Sequence, residues 1–314
     1  MDTTKFIKGI HHVTATVNDA QEDFDFYTRL LSLRLVKKTV NFDNHQVYHF
    51  YYGNEAGEPG TIMTTFPYKD QGVRWGEKGS GQVAITTFSI PSGSLDFWTK
   101  RLEEAGVTAA QKTVFGYEGL YFEDPSGLAL ALIGSDEDSR RPWAGGSVGA
   151  EHAIRGFFSA TLSIAEPAAT FEFLNEVMGF EKIGSEGSLS RWAVNGGGAG
   201  NFLDIREDPE TPRGKNGLGT VHHIAWQIEN DPNQLALRTR LLELGFRVTD
   251  IKDRKYFHSI YFRIPGGVLF EVATIPPGFQ VDESLEELGR ELKLPAWEEP
   301  KRAEIERILP TINE

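Results

Sequence analysis

The sequence predicts an α+β protein built from four copies of one βαβββ module, arranged as two paired halves. Four segments of the chain follow the same order: a strand-like run, a helix, and then two or three β-rich runs separated by turns. A repeat of this length indicates one structural unit that is used several times. The 314 residues are 39% hydrophobic and 11% aromatic, so the chain can form a sizeable packed core.

Each module opens with a short run of apolar or alternating residues, which is typical of a strand. The runs begin near residues 9, 81, 155 and 219. The helix that follows each run has apolar residues at helical spacing. Three of the four helices end on a glycine suited to a left-handed cap, namely Gly106, Gly179 and Gly245. The sequences "DPSG" and "IPGG" predict turns before the last strands of modules 2 and 4.

A charged, glycine-rich segment separates the second module from the third and indicates a linker. We therefore expect an N-terminal half at residues 1–135, holding modules 1 and 2, and a linker at 136–152. The C-terminal half, at residues 153–276, holds modules 3 and 4. Residues 277–314 predict an acidic, partly helical tail.

Composition excludes several classes of site and partner. The chain has no cysteine, so a metal would have to be held by histidines and carboxylates. The formal net charge of -13 argues against nucleic acid and anionic membranes as partners, because clustered Lys and Arg bind those surfaces. The first residues form no signal peptide, and no run of about 18 apolar residues is present. We expect a cytoplasmic protein.

Two adjacent histidines lie in the first strand-like run, "GIHHVTATV". Side chains alternate between the two faces of a strand, so His12 and Thr14 share one face while Val13 and Ala15 share the other. The apolar face belongs under the helix. We therefore expect His12 to point into the cup formed by the sheet, with His11 at the edge of the site.

The fourth module carries a second pair, and the same alternation places His223 in the cup. Glu271 is a carboxylate in the otherwise apolar last strand "GVLFEVAT" and needs a partner there. Modules 2 and 3 have no such residues, so we expect one site formed by modules 1 and 4. With His12, these side chains form a metal-binding set that suits the open Fe(II) facial triad or a Zn²⁺ hydrolase site.

The βαβββ order resembles the vicinal oxygen chelate superfamily of glyoxalases, bleomycin-resistance proteins and extradiol dioxygenases, whose curved sheets form a metal cup. More specific stretches resemble hydroquinone ring-cleaving dioxygenases of the dichlorohydroquinone dioxygenase type. These stretches are "LRLVKKTVNFD", "YHFYYGNEAGEPGTIMTTFP", "EHAIRGF", "DRKYFHSIYFRIPGGVLFE" and "LKLP". The resemblance implies iron ligands at His12, His223 and Glu271.

The resemblance also implies residues around the metal that bind the substrate and assist proton transfer. Catalytic roles fall on Arg254, Tyr256 and His222. Substrate-binding roles fall on His11, Thr14 and His258. A diol must lose a proton to bind iron as a phenolate, and a nearby His, Tyr or Arg can assist that loss.

We therefore expect an Fe(II)-dependent ring-cleaving dioxygenase, with Mn(II) as an alternative metal, that acts on a small aromatic diol and O₂. The sequence leaves open whether the chain forms a homo-oligomer. A glyoxalase-type isomerase is the first alternative, but it needs a fourth protein ligand where module 1 offers Met63, Thr64 and Thr65. A non-catalytic drug-binding protein of the same fold is the second, although such a protein has no use for a complete metal triad.

Overall fold

The structure is a computed structural model that describes residues 2–314, and its strands form two eight-stranded sheets. Module 1 contains β1 (Ile7–Val17), α1 (Ala20–Phe24, continued by a π-helical turn at Asp25–Leu30), β2 (Arg34–Asn41), β3 (Asn44–Gly53) and β4 (Ile62–Pro67). Module 2 contains β5 (Gln82–Ile90), α2 (Leu95–Glu104), β6 (Ala110–Val114), β7 (Tyr117–Glu123) and β8 (Ala129–Gly134).

Module 3 contains β9 (Gly156–Ile164), α3 (Ala168–Glu176), β10 (Glu181–Glu186), β11 (Leu189–Ala193) and β12 (Phe202–Glu207). Module 4 contains β13 (Thr220–Ile228), α4 (Asp231–Glu243), β14 (Lys252–Asp253), β15 (Phe257–Arg263) and β16 (Leu269–Pro277). The tail adds one helix, α5 (Arg302–Ile308). The four predicted βαβββ modules are confirmed. No helix within residues 2–314 has the length and apolar character needed to cross a membrane.

The sheets do not follow the order of the modules along the chain. The first sheet has the order β14-β15-β16-β13-β1-β4-β3-β2, and the second has the order β10-β11-β12-β9-β5-β8-β7-β6. Modules 1 and 4 therefore share one sheet, and modules 2 and 3 share the other. Each predicted half of the chain contributes one module to each sheet, because the opening strands β1 and β13, and likewise β5 and β9, pair antiparallel.

The core lies between the helices and one face of each sheet. On β1 this face carries Val13, Ala15 and Val17, which are fully buried in the largest hydrophobic cluster. On β13 it carries Trp226 and Ile228, which are buried in the same cluster. The alternation in the sequence therefore predicts the packed face correctly, and the opposite face of the first sheet is left to line a pocket.

The tail packs against the edge of the first sheet. Phe279 and Leu288 belong to a buried cluster with Val36 of β2. Lys37 is fully buried and forms ion pairs with Asp282 and Glu283 of the tail. The acidic residues of this segment therefore neutralise a buried cation of the sheet, so the tail is part of the folded core.

Candidate metal centre

Two β-bulges lie at the histidine pairs, where β1 and β13 meet. His11 is an extra residue in β1, since the residues on either side of it pair with two consecutive residues of β13. His222 is the corresponding extra residue in β13. A bulge bends its strand and redirects nearby side chains. Strict alternation therefore fails at His222, which lines the same pocket as His223.

His12, His223 and Glu271 meet at this pocket. His12 Nε2 lies 3.1 Å from Glu271 Oε2 and 3.3 Å from His223 Nε2. His223 Nε2 lies 2.7 Å from the same carboxylate oxygen. The first sheet fixes these positions, because β1, β13 and β16 are adjacent strands. The three side chains predicted as a triad are thus brought together and are buried.

The spacing of the three ligand atoms fits a metal ion. Metal–nitrogen distances near 2.1 Å place ligands at right angles about 3.0 Å apart in an octahedral site, whereas a tetrahedral site needs about 3.4 Å. The separations of 2.7, 3.1 and 3.3 Å lie in the range that three ligands of one metal ion would have. These three residues would therefore hold a metal and leave its other positions to a substrate.

The charges suit a divalent cation. Burial alone would raise the pKa of Glu271, but the neighbouring His12 and His223 hold it well below its usual range. Ser259 Oγ donates a hydrogen bond to Glu271 Oε1, which leaves Oε2 for a metal. Burial lowers the pKa of His223 and keeps its imidazole neutral, which is the form that binds a metal.

Each ligand histidine contacts the histidine before it through Nδ1. The two Nδ1 atoms are 2.9 Å apart in the His11–His12 pair and 2.7 Å apart in the His222–His223 pair. One proton must lie between the two nitrogens of each pair. A histidine that binds a metal through Nε2 carries its proton on Nδ1, so the preceding histidine accepts there and keeps its own proton on Nε2.

The pocket has a volume of about 440 Å³. Beside the triad lie Arg254 and Tyr261, and Arg254 Nε donates a hydrogen bond of 3.1 Å to the Tyr261 hydroxyl. Thr14 also lines the pocket, as the strand alternation predicts. Phe66 and Phe257 provide apolar walls. The pocket combines a charged base with flat apolar sides, which suits a small aromatic ligand.

Three of the residues predicted to act around the metal lie outside the pocket lining. Tyr256 is fully buried beneath the tail, and its hydroxyl donates to Asp282 at 3.2 Å. His258 follows Phe257 in β15 and therefore faces α4, where its Nδ1 lies 2.7 Å from Asp231. His11 is buried behind His12. We correct the predictions accordingly: Tyr256 and His258 have no place in the site, and His11 supports a ligand.

Two further residues line the pocket, Tyr261, to which the sequence assigns no role, and His49, which the sequence places near the cup as a structural residue. Tyr261 lies directly opposite Glu271 on the antiparallel β15–β16 pair. Alternation along "FHSIYFR", counted from Glu271, would have selected Tyr261 over Tyr256. His49 lines the pocket, and its Nε2 lies 2.9 Å from Thr64 Oγ1. No local pattern distinguishes His49, because its place depends on the pairing of β3 with β4.

Thr64 stands where a fourth protein ligand would be needed. Thr64 of β4 pairs with Thr14 of β1, which lies two residues after His12. In the same way, Glu271 of β16 pairs with Ala225 of β13, which lies two residues after His223. Thr64 is therefore the counterpart of Glu271 in module 1. Its hydroxyl donates to Thr14 at 2.9 Å. The first sheet therefore offers three ligands and a neutral hydroxyl instead of four ligands.

Known proteins that resemble this chain agree with its fold. The model of the Glyoxalase/Bleomycin resistance protein/Dioxygenase superfamily matches residues 9–132 and 156–272. A protein of Bacillus subtilis (strain 168) named as a ring-cleaving dioxygenase, MhqO, is 45% identical over 303 residues, covering 96% of each chain. The chlorohydroquinone/hydroquinone 1,2-dioxygenase of Sphingobium indicum is 39% identical and covers 94% of this chain and 93% of its own.

Solved structures agree with these relatives. A crystal structure described as a dioxygenase from Bacillus subtilis superimposes with a TM-score of 0.94 at 44% identity, covering 98% of both chains. Glyoxalase I from Zea mays superimposes with a TM-score of 0.63 at 11% identity, covering 85% of this chain and 92% of its own, which shows a common fold alone. The chain belongs to the glyoxalase/bleomycin resistance protein/dioxygenase superfamily.

Proposed function

We propose that the protein is a non-haem Fe(II)-dependent dioxygenase that uses O₂ to open the ring of a hydroquinone- or catechol-type aromatic. The observation that carries this proposal is the buried triad of His12, His223 and Glu271, whose ligand atoms lie within 3.3 Å of one another. Two histidines and one carboxylate are the ligand set of non-haem Fe(II) oxygenases, which leave the other metal positions open. The relatives named as ring-cleaving and hydroquinone dioxygenases support the same reaction class.

Iron(II), when bound, supplies the one-electron chemistry that lets O₂ react with an aromatic diol. His12, His223 and Glu271 hold it, and His11 and Ser259 keep two of these ligands in orientation through hydrogen bonds. Phe66 and Phe257 line the pocket and offer apolar surface against which an aromatic ring would pack.

Donors surround the place where the oxygen atoms of a substrate would lie. His222 accepts from His223 at Nδ1, so it presents Nε2–H to the pocket. Arg254 donates to the Tyr261 oxygen, which leaves the phenol proton of Tyr261 available. Donors fixed in a water-excluded site stabilise negative charge as it develops on oxygen.

His49 is the proposed acceptor of the substrate proton. Because Thr64 donates to Thr14, the Thr64 oxygen must accept from His49 Nε2–H. This leaves a lone pair on His49 Nδ1, which can accept a proton. Once a metal occupies the triad, His49 has the free acceptor nitrogen among the imidazoles of the described pocket lining.

The isomerase alternative is weaker, because Thr64 occupies the position of the fourth ligand. A purely ligand-binding role gives no reason for a buried triad of two histidines and one carboxylate. The two alternatives make different predictions about metal and oxygen. A glyoxalase needs metal but no O₂, and a binding protein needs neither.

The test is anaerobic reconstitution with Fe(II), followed by oxygen uptake with a panel of hydroquinones and catechols. We expect about one iron per chain and uptake with at least one diphenol, and reconstitution with Mn(II) in parallel identifies the active metal. His223→Ala is expected to lose both the iron and the uptake. Absence of uptake with every diphenol would reject the dioxygenase, and tight diphenol binding by metal-free protein would favour the binding role.

A further inference from the structure

The second sheet encloses a cavity of about 200 Å³ that corresponds to the metal pocket of the first sheet. Alternate strand residues line it, such as Ser159 and Thr161 of β9. Asp204 lies in the lining as well, and its register position on β12 is that of Glu271 on β16. No histidine belongs to this lining, so within residues 2–314 the metal triad has no counterpart here. The cavity therefore suits a ligand that binds without a metal.

The charge of the lining favours an anion. Lys112, Arg191 and Arg206 line the cavity, and Asp204 is the carboxylate among the lining residues. Arg191 is paired with Asp204, and Arg206 is paired with Asp208. Lys112 forms no ion pair or hydrogen bond within residues 2–314 and is exposed to solvent. In a chain of net charge -13, this cavity thus carries a cation without a counterion.

Uncharged donors lie beside this cation. Lys112 of β6 pairs with Gly119 of β7, which has Tyr117 and Tyr121 two residues away on either side. Side chains in such diagonal positions start about 7–8 Å apart, and Lys112 Nζ lies 5.1 Å from the centre of the Tyr121 ring. Within residues 2–314 neither tyrosine hydroxyl has a hydrogen-bond partner. Lys112 and one of these hydroxyls can therefore bind the same carboxylate.

The rest of the lining is flat and apolar. The rings of Tyr117 and Phe158 both line the cavity, with centroids 4.8 Å apart, and Ile85 and Ile133 complete the apolar surface. An apolar protein cavity of about 150 Å³ is large enough to hold benzene. The volume of about 200 Å³ therefore accommodates one aromatic ring with a small substituent.

We propose that this cavity binds a small aromatic carboxylate, with its ring against Tyr117 and Phe158 and its carboxylate paired with Lys112. A carboxylate is ionised at neutral pH, whereas a phenol with a pKa near 10 is not. The ligand of this cavity therefore differs in charge from the diphenols proposed as substrates of the first sheet. The site lies outside the metal centre and does not depend on the proposed function.

Three variants assign binding to this cavity. Lys112→Met removes the cation and keeps the length of the side chain, and the position is exposed, so the fold is retained. Lys182→Met is the matched control, because Lys182 of β10 lies over the Phe171 ring at 5.6 Å in the same sheet but outside the cavity lining. Arg254→Met removes a cation from the metal pocket and reports any binding there.

The measurement is calorimetric titration of the Fe(II)-loaded full chain, without O₂, with benzoate, benzamide and acetate. We expect benzoate to bind with a Kd of about 0.1–1 mM. Lys112→Met is expected to weaken it about tenfold, whereas Lys182→Met and Arg254→Met should change it less than about twofold. Benzamide lacks the charge and acetate lacks the ring, so both should bind at least about tenfold more weakly than benzoate.

Crystals grown with 4-bromobenzoate locate the ligand, because bromine scatters anomalously. We expect the bromine in the cavity of the second sheet. Bromine in the metal pocket alone, equal benzoate affinity in the wild type and Lys112→Met, equal affinity for benzamide and benzoate, or no saturable benzoate binding would each overturn the proposal. None of these results affects the proposed ring opening, which oxygen uptake tests separately.

Discussion

His11 and His222 occupy equivalent bulges yet have different surroundings. His11 is buried against the ring of Phe257, whose centroid is 5.0 Å away, and lies outside the pocket lining. His222 lies at the pocket wall, with Phe66 as its aromatic neighbour. Both contact a ligand histidine through Nδ1. One member of each pair therefore contacts a histidine of the triad from behind, and only His222 also lines the pocket.

Substitution of the first pair is expected to have unequal effects. His12→Ala removes a ligand and should abolish iron binding. His11→Ala removes the hydrogen bond that orients His12, so it should leave a site whose iron affinity is about 10-fold to 100-fold weaker. Metal analysis and competition with a chelator measure both effects. Equal losses in the two variants would contradict the separate roles of ligand and support.

The two tyrosines near residue 260 provide a matched pair. Tyr261→Phe removes a hydroxyl that accepts from Arg254 beside the triad, and we expect kcat to fall about 100-fold with iron still bound. Tyr256→Phe removes a hydroxyl that contacts Asp282 of the tail. That variant should keep the activity of the wild type and lose only some stability. Steady-state kinetics on reconstituted protein compare them, and a greater loss in Tyr256→Phe would reverse the assignment.

At the level of strands, period-two alternation brings His12, His223 and Glu271 to one face because the opposite face of each strand is packed in the core. The same rule misplaces His222, because a bulge adds a residue to β13. On β15 the alternation holds, since Phe257 and Tyr261 face the pocket and His258 faces α4. The direction of a side chain could be predicted where the packed face of its strand is clear from the strand's own residues. It could not be predicted where a bulge or the pairing with another strand sets that direction.

The contact of α1 with the first sheet contains a buried carboxyl group whose charge state should affect stability. Asp23 of α1 accepts hydrogen bonds from Tyr52 and Thr65, and burial raises its pKa from 3.8 to about 8. A raised pKa favours the folded state at low pH, since the folded protein keeps the proton. This contribution is complete below pH 3.8 and is lost as the pH rises towards about 8.

We therefore expect the free energy of unfolding to decrease between these pH values more steeply in the wild type than in Asp23→Asn, which cannot ionise. Urea unfolding at several pH values, with the difference between the two proteins taken at each, isolates this group from the others. An identical pH dependence in both proteins would contradict the assignment.

At the scale of the whole molecule, the second sheet repeats the arrangement of the first without its histidines. Asp204 has in β12 the register position of Glu271 in β16. Ile85 and Ser159 stand where the first sheet has its two ligand histidines. Arg191 binds both oxygens of Asp204, at 2.7 and 2.8 Å, so a guanidinium neutralises that carboxylate. Within the described residues, the cluster of two histidines and a carboxylate lies in modules 1 and 4, where the sequence predicts the site.

The fourfold repeat could be predicted from the sequence alone, whereas which modules share a sheet could not. Each module has its own periodicity, but the pairing of β1 with β13 joins residues more than 200 positions apart. The packing of the tail against the first sheet could not be predicted either, because an acidic composition is typical of an exposed segment. Its acidic residues instead meet Lys37, whose burial depends on the tail itself.

Removal of this buried cation is expected to weaken the whole fold. Lys37→Met leaves Glu283 buried without its partner, and we expect a loss of about 3 kcal/mol in the free energy of unfolding. Lys38→Met, next in the chain, removes a pair with the half-exposed Glu314 and should cost no more than about 1 kcal/mol. Urea unfolding at neutral pH compares the two, and equal losses would show that the tail is not held by Lys37.

The central claim is that this sheet performs oxygen-dependent ring opening, and labelled oxygen tests it most directly. The Fe(II)-loaded protein is supplied with hydroquinone and ¹⁸O₂, and the product is analysed by mass spectrometry. We predict a ring-opened product that contains both labelled atoms of one O₂ molecule. An unlabelled product, or a quinone formed with the ring intact, would contradict the account.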